Sequence, residues 1–182
     1  SVKVKVGHVD LDVDIRILRA ANNGGQDQLR ADANRAWDAT SANLFATELK
    51  LKDNTVFESI EFIEEPLAKQ LQGEEWNLIN QVLALDSFTQ NSGIPYALDE
   101  SLADLAEIHK YEFDQIAQEL RSVFGGQERF CAAFVLKPAL LGLELSMQIA
   151  SLAQKEFQIN AVFSSSFDSG IGLAFTAILA SV

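Results

Sequence analysis

One cysteine, Cys131, stands among the 182 residues, and a single cysteine excludes an internal disulfide. That fits a reducing compartment: the cytoplasm, or the plastid stroma in a photosynthetic eukaryote. Cys131 sits in Phe130-Cys131-Ala132-Ala133-Phe134, an apolar run that reads as buried strand and not as the setting of a reactive thiol. Histidine is almost as scarce. His8 and His109 are isolated, so neither a histidine metal pair nor a Ser-His-Asp set is present. No Gly-rich phosphate loop and no Cys-x-x-Cys pattern occur. No apolar run reaches the roughly 18 residues that a membrane helix needs, which excludes a membrane partner of that kind. The first residues, Ser-Val-Lys-Val-Lys-Val, read as a strand and not as a signal peptide. Positive charge is short as well: 14 Lys and Arg face 26 Asp and Glu, for a net charge of -12. That balance excludes nucleic acid as a partner. Most of the excess reads as a solvated acidic surface that aids solubility.

What remains is an ordinary globular composition, 48% hydrophobic and 22% charged. The length suits one core and is too short for two large domains, so residues 1–182 are expected to form a single domain. Strand and helix patterns alternate. Strands are expected over Val2–Val6, Gln28–Ala31, Ser59–Ile63, Ile94–Leu98, Phe130–Leu136 and Ala161–Phe163. Helices are expected over Leu11–Ala21, from an Asp38 or Thr40 cap to Leu51, and over Trp76–Phe88, Leu102–Lys110, Phe113–Phe124, Leu140–Phe157 and Ile171–Leu179. Asn22-Asn23-Gly24-Gly25 stops the first helix, Pro66 follows the third strand, and Gly125-Gly126 closes the amphipathic Phe113–Phe124 stretch. Six strands alternating with helices imply an α/β fold with a parallel sheet.

The charged residues repeat in step with that alternation. Lys5, Asp32, Glu64, Asp99, Lys137 and Ser164 follow one another at 27, 32, 35, 38 and 27 residues, each at the end of a strand-like run. In βα barrels, catalytic groups come from such C-terminal strand ends. Asp32, Glu64 and Asp99 form an all-oxygen ligand set suited to a hard cation such as Mg²⁺. Any one of them alone could equally be a helix cap or a surface charge. Lys3 and Lys5 share one strand face, and a lysine near a cation is a usable base. Arg30 lies two residues before Asp32 and could pair with a substrate carboxylate or neutralise the acids. Asn34 could orient a ligand through a supporting hydrogen bond. The run Ser164-Ser165-Ser166-Phe167-Asp168-Ser169-Gly170 opens a helix whose free N–H groups suit a substrate carboxylate; otherwise it is a plain cap.

These motifs together resemble the enolase superfamily, and within it the o-succinylbenzoate synthase branch. The motifs are Val-Lys-Val-Lys-Val-Gly (2–7), Leu-Arg-Ala-Asp-Ala-Asn-Arg-Ala-Trp (29–37), Phe-Ile-Glu-Glu-Pro-Leu (62–67), Ala-Leu-Asp-Glu-Ser-Leu (97–102), Val-Leu-Lys-Pro (135–138) and the serine-rich run at 164–173. The resemblance implies a TIM-like (β/α)7β barrel, incomplete here. About six βα units are present; the first and last strands and an N-terminal capping domain would have to come from elsewhere. It implies Mg²⁺, with Mn²⁺ as a substitute, on Asp32, Glu64 and Asp99, the first glutamate of Glu64-Glu65 being the ligand. It implies Lys5 as the base that removes a proton α to a substrate carboxylate, Lys3 as its electrostatic support, and Lys137 as a cation on the opposite face. From the residues themselves, the candidates for substrate contact are Arg30 and the segment of Ser164, Ser165, Ser166 and Gly170. The implied reaction is syn dehydration of 2-succinyl-6-hydroxy-2,4-cyclohexadiene-1-carboxylate to o-succinylbenzoate through an enediolate, a step of menaquinone and phylloquinone biosynthesis. N-acylamino acid racemases, dipeptide epimerases and muconate cycloisomerases carry the same two lysines. A non-catalytic segment is the reading of another class. Two features depart from the pattern: Gly142-Leu143 stands where the family more often has two small residues, and the Phe113–Phe124 helix has no obvious family role.

Overall fold

A computed structural model describes residues 1–22, 28–72, 75–126, 129–166 and 169–180. These gather into two compact units, Ser1–Ala97 and Leu98–Val182. In the first, β1 (Val2–Lys5) leads to α1 (Leu11–Ala21), whose Asp10 cap accepts the Asp12 N–H and whose Ile15 and Leu18 turn inward. β2 (Leu29–Asp32) leads to α2 (Ala39–Lys52), started by Asp38 accepting the Ser41 N–H at 2.7 Å. A one-and-a-half-turn α3 (Asn54–Ser59) precedes β3 (Ile60–Glu64). An antiparallel pair, β4 (Leu71–Gln72) and β5 (Glu75–Trp76), precedes α4 (Leu78–Ser92) and β6 (Tyr96–Leu98).

β1 pairs with β2, β2 with β3 and β3 with β6, all parallel. Parallel neighbours need a crossover, and each one here contains a helix. Leu29, Ala31, Ile63, Tyr96 and Ala97 have no exposed surface. Burial on both faces is what a parallel sheet demands.

The second unit contains α5 (Glu100–Ile108), α6 (Phe113–Phe124), β7 (Cys131–Leu136), α7 (Pro138–Leu141), α8 (Leu143–Leu152), a π-turn over Ala153–Phe157, β8 (Asn160–Phe163) and α9 (Gly170–Leu179). β7 and β8 pair in parallel. α6 buries Ile116, Ala117, Leu120, Val123 and Phe124, and Phe124 meets Phe134 of β7 edge-on at 5.3 Å. The helix that the sequence pattern left without a role is therefore a cover for β7.

The helix expected over Leu102–Lys110 spans Glu100–Ile108, and two other expected helices differ further from the structure. The single helix expected over Leu140–Phe157 is three pieces. Gly142 has φ +82° and ψ 154°, a backbone state open to glycine, and it separates α7 from α8. The helix expected from Trp76 begins at Leu78, because Asn77 caps it by accepting the Asn80 N–H at 2.9 Å. It then continues to Ser92, where Gly93 at φ +79° ends it in the left-handed state. α1 ends before Asn22, and the expected stop at Asn23-Gly24-Gly25 lies outside the described residues, as do Phe167 and Asp168. Among the described residues, no helix is long and apolar enough to cross a membrane.

Candidate metal centre

β1, β2 and β3 run in step, so Lys5 is the register partner of Asp32 and Asp32 that of Glu64. Parallel neighbours lie roughly 4.8 Å apart, which brings side chains of one row within direct reach. Lys5 Nζ donates to Asp32 Oδ2 at 2.6 Å and also to Asn34 Oδ1. Lys3, two residues back on the same face, sets its ammonium 2.6 Å from Glu64 Oε2 and 2.9 Å from Asp32 Oδ2. The second oxygen of Asp32 accepts the Asn34 N–H at 3.1 Å. Lys3 and Lys5 thus lie on one face, and Asn34 bonds to both Lys5 and Asp32.

Asp32 and Glu64 are each 1% exposed. A buried carboxylate without partners is costly, so the lysines are what make this burial tolerable. Burial pushes the Asp32 carboxyl up, but Lys5 and Lys3 outweigh it and hold it below the usual aspartate value. Burial pulls the Lys3 ammonium down, but Glu64 and Asp32 outweigh it and its value is raised.

The third acid arrives on β6. Glu64 is the register partner of Ala97, and the Glu65 N–H donates to the Ala97 carbonyl at 3.1 Å, which ties the end of β6 to the end of β3. Asp99 follows within two residues. It stands at the N-cap position of α5, yet its side chain makes no capping hydrogen bond; its Oδ2 instead accepts Lys137 Nζ at 2.5 Å. One carboxylate oxygen from each of Asp32, Glu64 and Asp99 lies within 4.8 Å of the other two. Two Mg–O bonds of ~2.1 Å span at most ~4.2 Å. Side-chain rotations of a few tenths of an ångström close that difference. The residues fit the ion in number, charge and donor type: three anionic oxygen donors, buried, facing cations that an incoming ion can replace. The chain thus carries a carboxylate triad able to bind a metal.

Not every expected residue joins the cluster. Arg30 turns to Glu61, with Nε at 2.8 Å and Nη2 at 3.2 Å, and its guanidinium lies 5.1 Å from the centre of the Phe62 ring. Its charge is spent there, not on the acids. The Ser164 N–H donates to the Leu136 carbonyl at 2.9 Å, which extends the β7–β8 pairing and removes that donor from any ligand. Ser165 and Gly170 are exposed, Ser166 is half-buried, and Ser169 caps α9 by accepting the Gly172 N–H at 3.3 Å.

Arg35 and Glu65 form a pair to which the sequence pattern assigned no role. Glu65 is wholly buried and its Oε2 accepts Arg35 Nε at 3.2 Å. The signal was present: adjacent side chains at a strand end point to opposite faces, so Glu65 could not share the partners of Glu64.

Acids and lysines on the C-terminal ends of successive parallel strands define the class: a βα-barrel protein whose site is built on strand ends. Residues 1–119 match the family model described as enolase C-terminal domain-like, and the chain belongs to that family, within the enolase superfamily. It is 32% identical over 180 residues to o-succinylbenzoate synthase of Yersinia pseudotuberculosis, covering 98% of this chain and 46% of that enzyme. It is 30% identical over 185 residues to the chloroplastic protein PHYLLO of Arabidopsis thaliana, covering 100% of this chain and 9% of that protein. Among solved structures it resembles MenC from Desulfotalea psychrophila, with TM-score 0.66, 24% identity and coverage of 98% of this chain and 42% of that one. It also resembles a racemase from Streptomyces coelicolor with bound magnesium, with TM-score 0.58, 20% identity and coverage of 100% and 42%. The fold is accordingly α/β, a parallel-stranded part of an enolase-type barrel. The chain spans less than half the length of the Yersinia synthase it matches.

Proposed function

We propose that these residues form the metal and lysine site of a Mg²⁺-dependent lyase. The reaction would be syn dehydration of 2-succinyl-6-hydroxy-2,4-cyclohexadiene-1-carboxylate to o-succinylbenzoate. The observation that carries this reading is the in-register row of Lys5, Asp32 and Glu64, with Lys3 bridging the two acids. Asp32, Glu64 and Asp99 would hold the cation, which supplies positive charge to the substrate carboxylate and so eases loss of the adjacent proton. Lys5, released from Asp32 and having given one proton to solvent, is a neutral amine whose Nζ accepts that proton. Breakage of the carbon–hydroxyl bond on the same face then forms the new double bond, and the proton leaves with the hydroxyl as water. Lys3 keeps its charge beside Glu64 and stabilises the acidic row while Lys5 changes protonation. Lys137 offers a cation to the developing anion. Asn34 orients Lys5 through its side-chain oxygen. The serine-rich segment contributes Ser165, Ser166 and Gly170 to substrate contact. Its substrate would be a small carboxylate, and neither nucleic acid nor membrane is a partner in this reading. The residues of a capping domain and of further strands belong to the complete enzyme.

The choice of reaction rests on the o-succinylbenzoate synthase relative at 32% identity. The racemase neighbour supports a second reading, in which the same lysines exchange a proton at an α-carbon without loss of a hydroxyl. The full-length protein is to be assayed with the cyclohexadiene carboxylate and, separately, with N-succinylamino acids. Dehydration at a kcat/KM well above that for racemisation is expected. Racemisation alone would replace the first reading with the second, and neither activity in the presence of Mg²⁺ would remove both.

A further inference from the structure

Directly after the two acids on β2 and β3, the chain makes an unusual set of bends. Asn34, Arg35 and Glu65 have φ of +46°, +60° and +39°. Left-handed backbone is common for asparagine but disfavoured for arginine and glutamate, so something must hold Arg35 and Glu65 there. What holds them is each other. The Arg35 N–H donates to the Glu65 carbonyl at 2.7 Å, and Arg35 Nε donates to Glu65 Oε2 at 3.2 Å. The side chains are 11% and 0% exposed. The pairing of β2 with β3 also continues past both strands. Ala33 N–H donates to Glu64 O at 3.1 Å, Trp37 N–H to Pro66 O at 3.3 Å, and Ala68 N–H to Trp37 O at 2.8 Å. Arg35 and Glu65 lie in the middle of this ladder, three residues after Asp32 and one after Glu64.

We propose that Arg35 and Glu65 are a positioning pair for the metal centre, which sets the ends carrying Asp32 and Glu64 side by side before any ion arrives. The inference rests on reading Asp32 and Glu64 as metal ligands. Three features of the geometry connect the pair to those ligands. Glu65 points away from the face of Glu64 and is held there by Arg35, while Glu64 faces Lys3. Asn34, the residue before Arg35, keeps its N–H on Asp32 Oδ1, and it can do so only while the bend persists. Glu65 also carries the N–H that fixes Ala97 of β6 beside β3. One buried ion pair therefore reaches the backbone of three strands.

The test uses the full-length protein and the double variant Arg35→Met/Glu65→Met. Removing both charges together avoids leaving one charge buried alone. Calorimetry is to give the Mg²⁺ and Mn²⁺ dissociation constants, and unfolding in EDTA the stability without metal. Loss of residues that orient metal ligands typically weakens affinity about 10- to 100-fold. That loss is expected here, with the metal-free unfolding midpoint moving by no more than about 3 °C. Unchanged affinity in the folded double variant would overturn the positioning role and leave the metal site standing. A wild type that binds neither ion would overturn both. Hydrogen exchange on the metal-free wild type covers the case of a variant that does not fold. The Arg35 and Glu65 amides are expected to be protected without metal; free exchange that becomes slow only on adding Mn²⁺ would show that the ion, not the pair, sets the bend.

Discussion

Asp99 stands at the N-cap position of a helix and does not cap it; its carboxylate takes Lys137 from the following βα unit at 2.5 Å. An aspartate at that position ordinarily accepts a backbone N–H of the first turn, and replacing such a cap costs ~1 kcal/mol. Here the side chain gives up that contact and remains 4% exposed. Asp99→Asn should therefore leave the first turn of α5 intact by circular dichroism while weakening Mg²⁺ binding by at least about tenfold. A frayed α5 with unchanged metal affinity would make Asp99 structural.

Lys5→Ala in the full-length enzyme should lower the proton-abstraction rate by ~10²- to 10⁴-fold. Its Mg²⁺ affinity should stay close to that of the wild type, because Lys5 contacts the ligands but is not one. Exchange of the substrate α-proton with deuterated solvent measures the step directly. Near-normal exchange would remove Lys5 from the role.

Lys3 makes a pH-dependent contribution whose sign follows from its raised folded value. The ammonium must be charged to pair with Glu64 and Asp32. Its stabilisation is fully present below the ordinary lysine value of 10.5 and is lost as pH rises through the folded value. Asp32, held below its ordinary value of 3.8, loses its contribution only as pH falls through that lower value. Lys3→Met should destabilise the chain at pH 7 by about 1–3 kcal/mol, because buried Glu64 loses a donor. Urea unfolding should show that gap narrowing only as pH rises beyond 10.5, through the raised folded value. A gap that is constant across that range would mean the ammonium is not what stabilises.

Gly142 tests the break between α7 and α8. Nothing lies within 4 Å of where a Cβ would stand, so any cost of Gly142→Ala is conformational and not steric. At φ +82° that cost should be of order 1–3 kcal/mol, read as a lower denaturant midpoint at unchanged m-value. A neutral result would mean that the bend relaxes into the continuous helix that the sequence suggests.

A chain consisting of residues 1–182 alone should self-associate. Among the described residues β1 pairs only with β2, and β8 only with β7, which leaves strand edges open to other chains. Leu173, Phe175 and Ile178 of α9 are exposed by 49%, 56% and 61%. The net charge of -12 opposes contact, but at physiological salt its reach is only ~8 Å. Light scattering that finds a monodisperse monomer at micromolar concentration would contradict this.

Much of the fold was legible because the strand runs and the charges share one period. The limits of α1 and α6 follow from apolar spacing together with the Asn-Gly and Gly-Gly stops that close them, and strand ends that carry acids are hard to misplace. The break at Gly142 was not legible, since the leucines on both sides keep a helical spacing across it and one glycine inside an apolar helix is often tolerated. α3 and the β4–β5 pair were missed because two- and six-residue elements carry no period. At the site, the acids and lysines were readable from their positions. Arg30 was not: it pairs with Glu61 beside a register shift between Leu29 and Arg30, and neither feature leaves a mark in the spacing.

The ion pairs also bear on the order of assembly. In the first unit, Asp32 and Glu64 are matched by Lys3 and Lys5; in the second, Asp99 is matched by Lys137. Each unit carries its own counter-ions for its buried acids. In the leading unit Asp32 and Glu64 therefore meet their counter-ions within that unit, with neither magnesium nor the trailing unit supplying the charge. On the proposed reading, metal loading would be an exchange of ammonium groups for an ion at acids that are already paired, so folding would not wait on the supply of magnesium.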